Sequence, residues 1–310
     1  MQLSGIEGGY GKIIQSEQAD ALIASCLGRY EQGNLDALYD LGVAFSTGSH
    51  GTVCDMIEAH KWFNLAAMRG SQQGQSMRAE IAEEMTAREI AEAASQAKGH
   101  FMVAMCLRFW PQWAWVKEAV DSGRYGKVLG AHFQRIGEPP AWGQAIYFDG
   151  ATSGGALFDL HVHDTDFVQH VFGRPKSVYS TGFTKVSGAI DHVLTQYEVE
   201  SGAKVSAEGS WAMTPGWGFN MSYRVIFERA TADYDIGRED EPLRLFEEGK
   251  QKQVIECEGT DGYAGELAHF IDSIRSDQAP SVSAADGLNT VEICAAEEQS
   301  VQTGQAVKLN

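Results

Sequence analysis

The amino-acid sequence predicts an α+β protein: N-terminal α-helical repeat hairpins, then a mainly antiparallel open-sheet domain with helices on one face. Residues 14–98 contain no proline and are rich in Ala, Glu, Gln, Leu and Met, which are good helix formers. From Phe101 onward, short runs of Val, Ile, Tyr, Phe and Thr are separated by turn residues. Most connections between these runs are short, which favours antiparallel pairing.

The change of character between these two parts predicts two domains, residues 1–98 and residues 99–310. The boundary is placed at Lys98–Gly99 because glycine is a natural helix stop. In the second domain the predicted strands are 128–134, 177–184, 193–199, 203–213, 223–228, 232–236, 243–247 and 253–258, and the predicted helices are 113–121, 264–276 and 287–303. An antiparallel sheet covered on one face leaves its other face open for a partner.

In the first domain, apolar residues recur at helical spacing. Ala37, Leu41 and Phe45 form one stripe, and Asp55 is suited to cap a second helix. The residues that fit a repeat are Ala37, Leu41, Gly42, Phe45, Gly48, Asp55, Ala59, Trp62, Phe63, Ala66, Ala67 and Gly70. In order and spacing they resemble one SEL-one-like repeat, a relative of the tetratricopeptide helix pair. The resemblance implies protein contacts, whereas the alternative is that the stripes are only core; one or two repeats would need support from the rest of the chain or from a partner.

Composition excludes several classes of function. The formal net charge of −18 argues against a nucleic-acid partner or an anionic membrane, because both need a basic surface. No apolar run approaches the roughly 18 residues that span a bilayer, and the first residues show no secretory signal. The five cysteines form no C-x-x-C pair and are odd in number, which predicts reduced thiols in the cytoplasm.

The densest polar cluster of the sequence lies in residues 153–166. Gly154-Gly155 precedes an apolar run, which predicts a close approach and a helix start. On a helix, Asp159 and His163 are four residues apart and share a face. A carboxylate beside an imidazole fixes its tautomer and raises its basicity, so this pair suits proton transfer with a substrate hydroxyl. The alternative is a satisfied helix-capping cluster.

This segment resembles the signature of the glucose–fructose oxidoreductase and inositol dehydrogenase (Gfo/Idh/MocA) family. The string runs from Gly154 to Asp166 and reads GGALFDLHVHDTD. The other residues that carry the resemblance are Arg108-Phe109-Trp110-Pro111, Gly126-Lys127-Val128, Gly262-Tyr263, Glu266-Leu267, Phe270 and Asp286-Gly287. Together they cover residues 99–310 and imply the family's C-terminal substrate and oligomerisation domain.

The resemblance implies roles for particular residues. Asp159 and His163 match the family's catalytic Asp and His, which handle the hydroxyl proton during hydride transfer. His161 stands where the family more often has glycine, and we expect it to point into the substrate pocket. Arg108, Asp166 and Tyr147 are further substrate-binding candidates, with an interior salt bridge as the alternative for Arg108. Trp217 and Tyr147 are expected to line the pocket, or simply to pack.

The resemblance also implies NAD(P), but no binding motif for it is seen. A Rossmann domain would show a strand followed by G-x-G-x-x-G and a helix. Gly5, Gly8, Gly9 and Gly11 have no hydrophobic strand before them, and no Lys-Pro pair supplies the family's lysine. We therefore expect the cofactor domain to be replaced and redox turnover by this chain alone to be weak or absent.

Three functions stay open at this point. The first is an oxidoreductase-family protein with a small polyol or sugar as substrate. The second is an interaction protein that forms homo-oligomers through the open sheet face and binds protein partners through its helical repeats. The third takes His161 and His163 as a metal pair, with His192 and His269 as further ligands, but their spacing fits no recognisable metal site.

Overall fold

The computed structural model describes residues 17–259 and 261–309. The chain divides into two compact units, Met1–Phe101 and Met102–Asn310. This division falls three residues beyond the boundary predicted at Lys98–Gly99. The glycines at positions 5, 8, 9 and 11 lie outside the described residues.

Over its described residues, 17–101, the first unit consists of helices and contains no strand. The helices are α1 (Glu17–Glu31), α2 (Asp36–Thr47), α3 (Met56–Met68), α4 (Gln72–Glu84) and α5 (Ala87–Gln96). As predicted, Asp55 caps α3, since its carboxylate accepts a hydrogen bond of 3.0 Å from the Glu58 N–H. Gly48 ends α2 in the left-handed conformation.

Helices α2 and α3 pack closely because small residues lie where they meet. A Cβ at Gly42 would lie 2.5 Å from the ring of Phe63, so only glycine fits there. Leu41, Phe45 and Trp62 are buried in the same cluster. The helical prediction is therefore confirmed, while the assignment to SEL-one-like repeats stays a prediction.

The second unit is a mixed α+β structure around an open sheet. Its strands are β1 (Val128–Gly137), β2 (Ser177–Phe183), β3 (His192–Glu198), β4 (Lys204–Ser210), β5 (Phe219–Phe227), β6 (Ala230–Asp235), β7 (Leu243–Glu247), β8 (Gln253–Val254) and β9 (Val307–Lys308). Their order in the sheet is β8-β7-β6-β5-β1-β4-β3-β2-β9. The pair β1–β4 is parallel, whereas the other described pairs are antiparallel. The sheet is thus mixed, and mostly antiparallel as the short connections predicted.

The helices of the second unit are α6 (Pro111–Asp121), the short α7 (Gln144–Tyr147) and α8 (Gly150–Ser153), α9 (Val162–Phe172), α10 (Gly262–Ser276) and α11 (Ala284–Thr303). Short 3-10 turns cover Cys106–Phe109 and Ala141–Gly143, and a π turn covers Leu157–His161 directly before α9. None of the described helices is both long enough and apolar enough to cross a membrane.

The alternation of side chains along β1 determines which of its residues are buried beneath α9. Its residues alternate, so that Ala131, Phe133 and Arg135 are buried on the helix side, whereas His132 and Gln134 contact side chains on the other face. Trp113 of α6 fills the centre of the core with its ring 4.8 Å from that of Phe167 and 5.7 Å from that of Phe133. This aromatic packing fixes the middle of α9 against the sheet.

The helix start at residues 154–157 is confirmed. Gly154 and Gly155 both have φ near +70°, a conformation that favours glycine. A Cβ at Gly155 would lie 2.5 Å from the carbonyl oxygen of Ile190, so the backbone approaches this neighbouring loop closely. The π turn then leads without a break into α9.

The open face of the sheet carries exposed apolar side chains. Tyr179, Leu194, Ile226 and Phe246 are each at least 36% exposed, at strand positions that alternate with buried residues. A cavity of about 690 Å³ lies partly on this face, and His132, Tyr179, Leu194, Gln196 and Ser206 are among its lining residues. Neither Asp159 nor His163 lines it.

Candidate functional site

Asp159 and His163 lie on one continuous helical segment. Asp159 belongs to the π turn and is exposed, and His163 belongs to the first turn of α9 and is partly buried. That the two side chains share one face stays a prediction, because the π turn changes the angular spacing between them and Asp159 is exposed whereas His163 is partly buried. Extra-wide turns of this kind occur often at functional sites.

The His163 imidazole is neutral at physiological pH. Burial lowers its pKa to about 3, and the positive charge of Arg135 acts in the same direction. Its Nδ1 is buried and has no hydrogen-bond partner among the described residues. The expectation that Asp159 raises the basicity of His163 is therefore wrong, because Asp159 is not among the groups that shift this pKa and a pKa of about 3 makes the neutral imidazole a weak proton acceptor.

Asp159 has a raised pKa because its carboxyl group is partly desolvated, although Arg135 opposes the shift. Tyr147 lies close enough for the two groups to interact, since desolvation and then the charge of Asp159 raise the pKa of the tyrosine. The Tyr147 ring packs 5.3 Å from Trp211 and 5.0 Å from Trp142. An aromatic cluster thus holds the candidate pocket residue Tyr147, and the charge of Asp159 acts on its pKa.

His161 is wholly buried. Its Nε2 lies 3.2 Å from the Tyr197 hydroxyl and 3.5 Å from Glu297 Oε2. Burial by itself lowers the pKa of His161, but the charge and hydrogen bond of Glu297 outweigh it and raise the pKa. The prediction that His161 points into a substrate pocket has no support in this geometry, because the imidazole has no exposed surface.

Space for the His161 side chain comes from the neighbouring strand. A Cβ at Gly209 of β4 would lie 2.6 Å from the Cβ of His161. The larger residue on the helix is therefore accommodated by a glycine on the sheet. Glu297, the partner of His161, also accepts hydrogen bonds of 3.1 and 3.2 Å from the Thr165 hydroxyl.

Arg108 and Asp166 form an interior ion pair. Arg108 donates from Nε and from Nη2 to the two carboxylate oxygens of Asp166, both at 2.7 Å. Their side chains are 6% and 0% exposed, and the Thr290 hydroxyl adds a bond of 3.2 Å to Asp166. Desolvation opposes the charge on Arg108, but the bonds to Asp166 prevail and raise its pKa. This is the salt bridge that the sequence left open, and the geometry gives no support to a substrate contact by either residue.

Arg135 is the residue that sequence reasoning missed. It is 5% exposed, and among the described residues its single hydrogen bond runs from Nη1 to the Leu160 carbonyl at 3.3 Å. Its Nε is buried without an acceptor, and no carboxylate of the described residues lies within 4.0 Å. Its charge acts on Asp159, His163 and Asp164 alike. An arginine at a core-facing position of a strand, in step with Ala131 and Phe133, is the signal that could have found it.

Asp164 is a second unpaired group at this end of α9. It is fully buried, and neither of its carboxylate oxygens has a hydrogen-bond partner among the described residues. Burial raises its pKa to about 7, against the opposing charges of Arg135 and His161. Buried polar groups without partners are rare, which marks this turn as functionally unusual.

The remaining candidates lie apart from this cluster. Trp217 is 57% exposed and stays a candidate for the pocket wall only. His269 accepts a hydrogen bond of 2.9 Å from the Ser281 N–H, and His192 lies 4.0 Å from Glu208. Within residues 17–259 and 261–309, no group of three or more His, Cys, Asp or Glu side chains is arranged to hold a metal ion.

Comparison with known protein families places this site in a recognised domain. Residues 113–233 match the GFO/IDH/MocA C-terminal domain. This match includes the π turn, the first turn of α9, and Arg135. The resemblance on residues 99–310 is thereby supported at the level of this domain.

Known relatives of the domain include inositol dehydrogenases. The chain is 27% identical over 220 residues to scyllo-inositol 2-dehydrogenase (NAD(+)) of Bacillus subtilis (strain 168), covering 67% of this chain and 62% of that protein. It is 27% identical over 207 residues to myo-inositol 2-dehydrogenase of Thermotoga maritima, covering 63% of this chain and 60% of that protein. The chain therefore spans about three fifths of the length of these relatives.

Solved structures show the same fold. A levoglucosan dehydrogenase in complex with NADH and L-sorbose superposes with a TM-score of 0.64 at 18% sequence identity, covering 72% of this chain and 69% of that one. A putative oxidoreductase from Thermotoga maritima superposes with a TM-score of 0.62 at 19% sequence identity, covering 72% of this chain and 68% of that one. The fold of about 72% of the chain is thus shared with these two proteins.

Proposed function

We propose that the second unit is the substrate-binding half of an oxidoreductase that acts on a CH–OH group of a polyol or sugar. The observation that carries the proposal is that a carboxylate and a neutral imidazole, Asp159 and His163, lie four residues apart on the helical segment that begins at Gly155. The inositol dehydrogenases among its relatives support the substrate class.

In this proposal His163 accepts the proton of the substrate hydroxyl. At working pH burial keeps His163 unprotonated and so available as an acceptor, and in this proposal the charge of Asp159 offsets the low basicity that a pKa of about 3 implies. Asp159 orients the hydroxyl and stabilises the imidazolium as it forms. Tyr147 and Trp217 supply apolar walls for the ring of the substrate, while Arg108, Asp166 and His161 hold the helix from behind.

A nicotinamide cofactor is implied by the resemblance and would supply the hydride acceptor. The described part of the first unit consists of helices, and no strand–glycine turn–helix element that fits a pyrophosphate occurs in residues 17–259 or 261–309. The described residues thus do not fit a dinucleotide, and the chemistry proposed for them is limited to the hydroxyl proton. That turnover by this chain alone is weak stays a prediction.

A second function is favoured by the open sheet face. Its exposed apolar side chains, Tyr179, Leu194, Ile226 and Phe246, suit contact with a second copy of the chain. We propose that the chain forms a homo-oligomer through this face. We also propose that the first unit, as a SEL-one-like repeat, contacts other proteins. Sedimentation of wild type and of the double variant Leu194→Glu/Ile226→Glu tests the homo-oligomer, because a dimer should become a monomer; a monomeric wild type would refute it.

Binding and turnover together test the main proposal. We expect myo-inositol to shift the His163 resonances of the labelled full chain saturably, and Asp159→Asn to weaken this response at least tenfold. The matched control Asp149→Asn changes a carboxylate that caps the nearby α8. Inositol-dependent reduction of NAD⁺ or NADP⁺ is assayed in parallel, and His163→Asn should abolish whatever rate is found. The absence of any response at His163 to polyols or sugars would refute the proposal.

A further inference from the structure

Two neighbouring loops of the second unit expose aromatic side chains at one end of the sheet. Trp142 lies in the 3-10 turn that follows β1 and is 83% exposed. Trp217 precedes β5 and Phe219 is its first residue, and both are more than half exposed. The loops are joined by a backbone hydrogen bond of 3.0 Å from the Glu138 N–H to the Gly218 carbonyl. The side chains of Trp142, Trp217 and Phe219 thus form an aromatic rim.

Tyr147 connects Trp142 to the helical segment of the candidate site. The Tyr147 ring lies 5.0 Å from that of Trp142 and packs against a buried apolar cluster that includes Leu160. Leu160 directly follows Asp159, whose charge acts on Tyr147. Only glycine fits at position 143, because a Cβ at Gly143 would overlap the Tyr147 ring. Trp142 is therefore held one ring beyond Tyr147, on the solvent side.

The other end of the aromatic rim reaches the same π turn. The ring centroid of Phe219 lies 5.7 Å from the guanidinium carbon of Arg135. Arg135 in turn donates a hydrogen bond of 3.3 Å to the Leu160 carbonyl. Both ends of the rim are thus tied to the residue after Asp159, so the rim borders the segment that carries the proposed proton transfer.

The two loops carry no charge where they hold the aromatic rim. Residues 139–148 and 209–223 contain no Asp, Glu, Lys, Arg or His, although the chain has a formal net charge of −18. One face of a pyranose ring presents mainly C–H groups, which stack on the electron-rich face of an aromatic ring. Exposed, uncharged aromatic side chains beside a site therefore suit a neutral sugar better than a charged ligand.

We propose that Trp142 stacks the second ring of a disaccharide or glycoside, while the first ring lies against Tyr147 and Trp217 with its reacting hydroxyl at His163. This inference rests on the proposed function of Asp159 and His163. The exposure of the rings rises from the partly buried Tyr147 to Trp142, so two linked sugar rings can follow the two aromatic side chains outward. Trp142 then selects substrates by the number of their rings.

The experiment compares sugars that differ by one ring. D-Glucose has one ring, whereas cellobiose and maltose add a second glucose through two different linkages. Binding to the full chain is measured at pH 7 by calorimetry, with His163 resonances recorded in parallel. We expect the better-bound disaccharide to bind at least about tenfold more tightly than glucose, because stacking and the burial of ring surface add to the affinity.

Variants assign this preference to one side chain. Trp142→Ala should reduce the preference to less than about twofold and leave glucose binding unchanged, because only the second ring loses its contact. Trp142→Phe should keep part of the preference, since it keeps an aromatic face. Tyr263→Ala is the matched control, because Tyr263 of α10 is also more than half exposed and also packs edge-on against an aromatic ring, that of Trp110.

Each outcome separates this inference from the proposed function. Equal affinities for glucose and both disaccharides, with His163 responding to all three, refute the role of Trp142 and leave the proposed function standing. A disaccharide preference that is unchanged in Trp142→Ala also overturns the inference.

A preference that depends on Trp142 but leaves His163 unaffected refutes the proposed function instead. Sedimentation of Trp142→Ala tests whether the aromatic rim is a protein contact. Loss of a wild-type dimer in this variant, with an unchanged ratio of sugar affinities, would overturn the assignment of the rim to a sugar.

Discussion

Neighbouring residues at the start of α9 differ sharply in how their buried polar groups are satisfied. The side chains of Thr165, Asp166 and Gln169 have partners on α11 or at Arg108, at distances of 2.7 to 3.2 Å. Directly before them in the chain, His163 Nδ1 and both oxygens of Asp164 have no partner among the described residues. One helix thus contains fully bonded residues next to buried residues with unused bonding capacity, which is rare.

The difference follows from what these residues face. Thr165, Asp166 and Gln169 face α11 and Arg108, and there an unpaired buried group would lower the free energy of unfolding by about 1–3 kcal/mol. His163 and Asp164 instead feel the charge of Arg135, whose Nε is itself without an acceptor among the described residues.

The largest expected effect on the free energy of unfolding comes from breaking the ion pair between Arg108 and Asp166. Arg108→Met leaves Asp166 buried without its cation, and we expect a loss of about 3–5 kcal/mol in the free energy of unfolding. Arg135→Met should cost less than about 2 kcal/mol, because only one hydrogen bond of 3.3 Å is lost. Denaturant unfolding followed by tryptophan fluorescence measures the free energy of unfolding of both variants. Equal losses would contradict the conclusion that Arg108 is fully paired and Arg135 is not.

The second effect concerns the start of the helix. Gly155→Ala introduces a Cβ 2.5 Å from the Ile190 carbonyl oxygen at a φ of +71°, and we expect a loss of about 2–4 kcal/mol. Gly216→Ala is the matched control, because Gly216 also has a positive φ but no atom within 4 Å of such a Cβ. Unfolding experiments on the two variants isolate the steric contact, and equal losses would show that this contact is unimportant.

The third effect is a pH dependence that belongs to His161 and Glu297. The folded pKa of His161 is raised above the ordinary value of 6.5, so the stabilisation is fully present below about pH 6.5 and is lost as pH rises through the folded pKa. Glu297→Gln should cost about 1.5–3 kcal/mol at pH 5.5 and less at high pH. Unfolding at several pH values, with Glu298→Gln as the control, measures this, and a loss that grew with pH would refute the ion pair.

The smallest effect is on the titration of His163. Its pKa of about 3 lies below the ordinary value of 6.5, so it should stay neutral between pH 8 and pH 5. The stability that it contributes is present above pH 6.5 and is lost as pH falls toward 3. Histidine NMR measures the midpoint, which should rise modestly in Arg135→Met because burial, the larger cause, remains; a midpoint near 6.5 in wild type would contradict the burial of this imidazole.

Much of the fold could be predicted from local signals. The cap at Asp55, the glycines at 154 and 155, and the alternation along β3 and β4 are each visible within a few residues. The parallel pairing of β1 with β4 was not predicted, because it joins segments more than 70 residues apart. Pairing over such distances leaves no pattern in the nearby sequence.

The site was predicted in part. The prediction that Asp159 and His163 lie on one helix is confirmed, whereas their shared face stays a prediction. His161 was expected to face a pocket, yet it lies wholly inside because Gly209 of a distant strand makes room for it. Arg135 was overlooked because the predicted strand, 128–134, ended one residue short of it, although it is in step with the buried Ala131 and Phe133.

The sequence by itself determined the helix start, the presence of Asp159 and His163 on one helical segment, and the succession of helices and strands, since these depend on neighbouring residues and on the periodicity of the backbone. Only the tertiary structure decided which charges are paired. Arg108 meets an aspartate 58 residues away, whereas Arg135 meets no carboxylate among the described residues. The reason is that the energy of a buried charge depends on the atoms around it in space, and these come from distant parts of the chain.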